Sequence, residues 1–178
     1  MPPDQDDAQI CRTHTAADGT RSRAIYSACG AFRYRLDRAW SDAAPLTWIM
    51  LNPSTATEAA NDPTIARCET RARAGGHGGV RIVNLFAFRA TRPADLRLHP
   101  APIGPDNDRH LLEACTGPTR VVAGWGVHGT HLDRAADVLR LLRDSGVAIH
   151  TLGLTQHGHP RHPLYVAYAT QPEPWHHD

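Results

Sequence analysis

The stretch Leu46-Thr47-Trp48-Ile49-Met50-Leu51-Asn52-Pro53-Ser54-Thr55-Ala56-Thr57 decides the fold. Leu46 to Leu51 is of strand length, rich in large apolar residues and without clean polar alternation. That pattern fits a strand buried on both faces, as in a parallel sheet. The run stops at Asn52-Pro53, so Asn52 stands where the strand opens into a loop. Ligands of open α/β sheets sit at the carboxyl ends of the strands.

Outward from this run, strand-like and helix-like stretches alternate. Asn61-Asp62-Pro63 reads as a helix start, an acidic cap followed by proline at the first helical position. Ile65, Cys68, Glu69 and Ala72 form a helical stripe that the glycines from Gly75 to Gly79 end. Val80 to Phe86 is a second buried strand with Asn84 near its end, and Pro93 to Leu98 a short helix. Pro105-Asp106-Asn107-Asp108 caps a helix that turns Leu111, Leu112 and Cys115 inward. Thr119 to Trp125 is a third strand. Leu132, Ala135, Ala136, Leu139 and Leu142 follow helical spacing up to Gly146, and Val147 to Leu152 is a fourth strand. Pro163 to Ala169 reads as a short helix or extended segment. Such alternation means βαβ units in a layered α/β/α fold with a mainly parallel sheet. Ahead of it, Ala24 to Tyr26 and Phe32 to Leu36 flank Ala28-Cys29-Gly30 as a small hairpin at an edge. The expected organisation is a loose arm over 1–20, a single domain over 21–170 and a tail over 171–178.

With 178 residues, 41% hydrophobic and 21% charged, the chain is long enough for a real core and ordinary for a globular protein. No apolar run reaches membrane-span length, and the acidic start, Met1-Pro2-Pro3-Asp4, is unlike a signal peptide. The expectation is therefore a cytoplasmic protein that does not engage membranes. A net charge of +1 supplies no global attraction for nucleic acid. All 19 basic residues are Arg, which excludes Schiff-base chemistry on a lysine side chain. Codon bias is the plain reading of that composition. The four cysteines contain no Cys-x-x-Cys pair, so a structural zinc or iron–sulfur site is not expected. They read as reduced, buried apolar residues.

Three motifs have both a functional and a dull reading. Gly124-Trp125-Gly126-Val127-His128-Gly129 has dinucleotide-fingerprint spacing between a strand and a helix. Trp125 is bulky where a pyrophosphate must approach, and no acidic residue follows the next strand to hold a ribose. A Gly-rich turn whose N–H groups face the ligand cleft, and which suits a phosphate, is the better reading. His157, His159 and His162 are close in sequence, but Pro160 and Pro163 interrupt them, and no metal or other cofactor is expected. No Gly-x-Ser-x-Gly elbow is present. Two amides, Asn52 and Asn84, end successive buried strands. They can each donate and accept, which suits reading a base edge or holding a water.

Leu51-Asn52-Pro53-Ser54, Asn61-Asp62-Pro63-Thr64, Val83-Asn84-Leu85-Phe86, Gly104-Pro105-Asp106-Asn107-Asp108, Val122-Ala123-Gly124-Trp125-Gly126 and His162-Pro163-Leu164-Tyr165 occur in this order. Over about Ile25 to Tyr168 they resemble a bacterial domain of unknown function, DUF1643-like. That resemblance implies no activity. The same skeleton more distantly resembles the uracil-DNA glycosylase superfamily. This second resemblance implies a three-layer sandwich around a four-stranded parallel sheet, with the N-terminal hairpin added. It implies that Asn52, followed by Pro53 and Ser54, positions a hydrolytic water. It implies that Asn84 recognises a flipped base, that Trp125-Gly126 ends the third strand, and that His162 stabilises the departing base. His159-Pro160 is a rival register for His162. Met50-Leu51 replaces the superfamily's usual Gly-Gln, and Ser54 stands where an aromatic residue or glycine often follows the proline.

On this resemblance the expected function is N-glycosidic bond hydrolysis of a damaged or modified base in DNA by a monofunctional glycosylase. Phe86 or Phe88 is a candidate for stacking on the base, and Arg89 and Arg161 for contacting phosphates. Core packing for the two phenylalanines and a solvated surface for the arginines are the plain alternatives. The rival classes are a non-catalytic nucleotide or nucleic-acid binding protein and a small-molecule nucleotide hydrolase. The sequence sets neither the target base nor the oligomeric state.

Overall fold

The computed structural model describes residues 8–177. Among the described residues eight strands form one mixed sheet: β1 (Ile10–Thr15), β2 (Arg21–Tyr26), β3 (Arg33–Ala39), β4 (Leu46–Met50), β5 (Gly79–Asn84), β6 (Arg120–Ala123), β7 (Ile149–Thr151) and β8 (Glu173–Pro174). Their order across the sheet is β1-β2-β3-β5-β4-β6-β7-β8. The neighbours β5, β4, β6 and β7 run parallel, while β1, β2 and β3 on one side and β8 on the other are antiparallel additions.

Four helices accompany the sheet: α1 (Pro63–Ala74), α2 (Pro93–Leu98), α3 (Asn107–Cys115) and α4 (Arg134–Asp144). Successive side chains of β4 separate its two faces. Trp48 and Met50 join Ile65, Cys68 and Ala72 of α1, while Ile49 joins Leu96 of α2, Leu111 of α3, and Val138 and Leu142 of α4. Helices therefore cover both faces, and Leu46–Met50 is buried at every position, as its unbroken apolar run requires.

The structure departs from expectation in the number and direction of its strands, in the hairpin and toward both ends of the chain. The sheet has eight strands, mixed in direction, where four mainly parallel ones were expected. The hairpin of β2 and β3 is no separate appendage, because β3 pairs antiparallel with β5 and extends the main sheet. Of the arm expected over 1–20, residues 1–7 lie outside the described residues and Ile10–Thr15 forms the edge strand β1. Within the expected tail, Glu173–Pro174 pairs with β7. Local alternation misses such strands because β1 is exposed along nearly its whole length. Its pairing comes from backbone hydrogen bonds.

The cap of α1 is as the sequence predicts. Asp62 Oδ1 accepts a hydrogen bond from Ile65 N at 2.8 Å, and Pro63 opens the helix. Cys68 and Cys115 are buried, and burial pushes both thiols up, Cys115 to about 12. Cys11 and Cys29 are exposed, against the expectation that all four are buried. No helix among the described residues is long and apolar enough to cross a membrane.

Candidate functional site

The parallel strands β4 and β5 end side by side, with Met50 opposite Asn84 in register. Beyond these ends the two loops are tied together. Ala90 N donates to Pro53 O at 2.9 Å. Asn52 Nδ2 donates to Ala90 O at 2.7 Å and to Pro53 O at 2.9 Å. Those two carbonyls fix the amide's orientation. Its remaining group, Oδ1, is an acceptor, and Asn52 lines a cleft of 630 Å³.

Asn84 lines the same cleft from the end of β5, and only 1% of its surface is exposed. Its Nδ2 is buried without a hydrogen-bond partner. A buried amide donor left unpaired costs about 1–3 kcal/mol, and among the lining residues Arg33 Nε is buried in the same unpaired state.

The opposite wall comes from the loop after β7. His162 caps a short 3-10 turn, Pro163–Tyr165, and its Nδ1 accepts from Leu164 N at 3.2 Å. The ring of neutral His162 therefore carries its proton on Nε2. Burial lowers its pKa below the ordinary histidine value, against the opposing pull of the Asp62 carboxylate. The loop is held by two arginines of α1. Arg67 donates to Pro163 O and Val166 O, both at 2.7 Å. Arg71 donates to Val166 O at 2.9 Å and to Ala167 O and Thr170 O at 2.8 Å. The helix that begins at Asp62 thus also positions His162.

Two charged residues that the sequence reading did not place in the site also line the cleft. Asp62, read only as a helix cap, is the one carboxylate among the lining residues. A signal existed for it. The helix after a parallel strand starts at that strand's carboxyl end, where ligands bind. Arg33 had no such signal. Alternating Phe32, Tyr34 and Leu36 place it on the polar face beside Arg35. A β-bulge reverses this: Ile25 pairs with Arg35 but Tyr26 pairs with Arg33, leaving Tyr34 as the extra residue. Arg33 consequently shares the face of Leu36 and Tyr26, which belong to the core that floors the cleft.

The structure brings Asn52, Ser54, Asn84, Trp125, Gly126, Arg161 and His162 together around this cleft. It leaves others outside it. Phe86 is fully buried in the opposite core, 5.5 Å from the His131 ring. Phe88 stacks on His99 at 4.0 Å. Pro53 is buried and contributes its carbonyl to the loop tie. Arg89 donates to Gly30 O at 3.2 Å and lies over the Tyr26 ring. His157 and His159 do not line the cleft, so of the two registers the later one, His162-Pro163, borders it. Among the described residues no three His, Cys, Asp or Glu side chains gather as metal ligands.

The glycines of the 124–129 turn serve packing and backbone shape. A Cβ at Gly129 would sit 2.5 Å from Trp125 Cδ1, and one at Gly124 would meet Met50 Sδ and Pro163 Cδ at 3.2 Å. Gly126 has φ of +71°, and its N–H donates to Pro160 O at 3.0 Å. The turn leads into a 3-10 segment, Gly126–Asp133, in which Leu132 and Asp133 are left-handed. It therefore lacks the regular helix start on which a pyrophosphate rests.

The chain belongs to the family described as protein of unknown function (DUF1643), whose model matches residues 33–164. Of the cleft-lining residues only Tyr165 falls outside that span. No curated protein and no solved structure matches the chain.

Proposed function

We propose that the cleft receives a nucleobase turned out of a DNA strand and hydrolyses its N-glycosidic bond. The observation that carries this reading is the buried, unpartnered Nδ2 of Asn84, in a cleft shared with His162 and Asn52. An unpaired amide on a residue that lines the cleft suits the edge of a base. The ordered motifs that resemble the uracil-DNA glycosylase superfamily support the same reading.

The chemistry follows from the groups present. Water adds to the anomeric carbon as the carbon–nitrogen bond breaks, and the bonding electrons leave on the base nitrogen. Neutral His162 donates its Nε2 proton as a hydrogen bond to the base oxygen where negative charge develops. Asn52 Oδ1 accepts from the attacking water and orients it. An amide does not take a proton, so the water's proton passes to Asp62, the cleft's carboxylate. Arg161, exposed at the rim, contacts backbone phosphate. Tyr165 is 77% exposed at the same rim, a position suited to stacking on a neighbouring base.

A non-catalytic binding role is the second reading, favoured by the structural employment of the Asn52 amide. A cleavage assay separates the two. Duplexes and single strands carrying uracil, mismatches and modified bases are incubated with the protein, and abasic sites are read as alkali-labile breaks. Abasic sites that disappear in Asn52→Ala and His162→Ala variants support hydrolysis. Tight binding with no abasic product from any base assigns the protein to the second class. Turnover of free nucleotides alone removes DNA from the reading.

A further inference from the structure

We infer that Arg33 is a ligand-contacting residue of this cleft, pairing with Asn84 to hold an anionic, oxygen-rich edge of the bound molecule. The inference deepens the proposed function and rests on its claim that a base enters the cleft.

Arg33 is 1% exposed and lines the cleft. One guanidinium nitrogen, Nη1, donates to Ala56 O, while Nε is buried with no partner. No carboxylate of the described residues forms an ion pair with it. The groups acting on it electrostatically are Tyr26 and Asp62, which favour its charge, and Arg89 and Arg38, which oppose it. Burial lowers its pKa to about 10, so the side chain is still cationic at neutral pH. An uncompensated buried charge is strongly unfavourable. Other buried arginines in this protein are spent on the fold. Arg38 binds Asn61 and three carbonyls, Arg71 binds three carbonyls although its Nε is also unpaired, and Arg134 binds Leu85 O and Asp108.

Arg33 and Asn84 thus each carry a buried donor without a partner, and both residues line one cavity. A ligand that answers both offers two acceptors, at least one carrying negative charge. In the glycosidic reaction that ligand is the departing base, whose ring nitrogen receives the bonding electron pair and whose charge spreads onto its oxygens.

The test is calorimetric binding of free 2,4-dioxopyrimidines at pH 8, using uracil, 5-fluorouracil and 5-nitrouracil, whose ring N–H acidity rises in that order. Inorganic phosphate is a fourth probe. The expected result is affinity that climbs along the series by about tenfold or more, since charge-assisted hydrogen bonds exceed neutral ones. That climb should be lost in Arg33→Met and largely kept in Arg33→Lys. The wild-type series stands without the variants, should Arg33→Met fail to fold. Bases binding with equal affinity regardless of acidity overturn the inference and leave base binding intact. Phosphate binding that depends on Arg33, with no base bound, supports the anion contact and sinks the base reading. No binding of any probe overturns both.

Discussion

Replacing Asn84 by Leu should make the protein more stable and abolish its ligand binding. Asn and Leu have nearly the same shape, so the strand end stays filled. In the ligand-free protein Asn84 Nδ2 has given up water and received no partner, an arrangement that costs about 1–3 kcal/mol. Leu at that site removes the orphan. The expected gain is about 2 kcal/mol, or about 4–8 °C in melting temperature for a chain of this size. Such a gain accompanied by lost function is the pattern expected where a polar group is kept for a ligand.

A second buried amide supplies the control. Asn107 is fully buried, and its Nδ2 donates to Asn84 O at 2.9 Å and Leu85 O at 3.0 Å. Leu there takes a donor from Asn84 O and leaves Leu85 O with Arg134 Nε alone, and should destabilise by about 1–2 kcal/mol even though it also removes the unpaired Asn107 Oδ1. Two Asn→Leu changes in the same core should thus shift the urea-denaturation midpoint in opposite directions, at unchanged slope. If Asn84→Leu destabilises as much as Asn107→Leu, the amide at the end of β5 belongs to the scaffold. The argument for a base-reading cleft then loses its main support.

Asp62→Asn should slow base release by about a hundredfold or more if Asp62 takes the water's proton, with melting almost unchanged because Asn caps a helix as well as Asp; equal rates in single-turnover assays would remove Asp62 from the mechanism. Arg71→Met should leave the sheet intact but raise amide exchange across residues 163–170, because Ala167 O and Thr170 O lose their donor and Val166 O keeps only Arg67; unchanged exchange there means the loop holds itself. His77, His110, His150 and His162 all have pKa values lowered by burial. A base with a depressed folded pKa contributes stability above its unfolded value of about 6.5, and loses it as pH falls through the folded value. Melting temperature should therefore begin to drop below about pH 6.5, above the carboxylate range, and a flat profile from pH 7.5 to 5 would contradict this.

Much of this was legible in residues whose environment is local. The unbroken run Leu46–Leu51 and the Asp62-Pro63 cap each carry their own signal, whereas the stripe from Leu132 to Leu142 is only half right: Leu132 is exposed and left-handed ahead of α4, and Val138 and Leu142 are the buried apolar positions. Phe86 shows the limit. An aromatic two residues past Asn84 looks like a stacking platform, yet the chain turns there and buries it on the opposite face. Periodicity reports which residues avoid water and is silent on which side of the sheet they do so. His162 was readable only through an ordered set of motifs, because nothing in its neighbourhood tells that Arg67 and Arg71 will draw its loop to the start of α1.

The bulge at Tyr34 carries the argument further, because it links the two largest departures from the sequence reading. A hairpin docked as an appendage at a sheet edge would have kept Arg33 remote from the ends of β4 and β5. Pairing of β3 with β5 places the hairpin beside the strand that bears Asn84. The bulge then rotates Arg33 onto the face that floors the cleft. With Tyr34 kept in a regular ladder, simple alternation would put Arg33 on the same face as Arg35. A bulge is a local disruption of the ladder, and this one delivers a buried cation to a wall that already holds an unpaired amide. Two unpaired buried donors thus belong to residues of one cavity, the pattern that the proposed binding role requires.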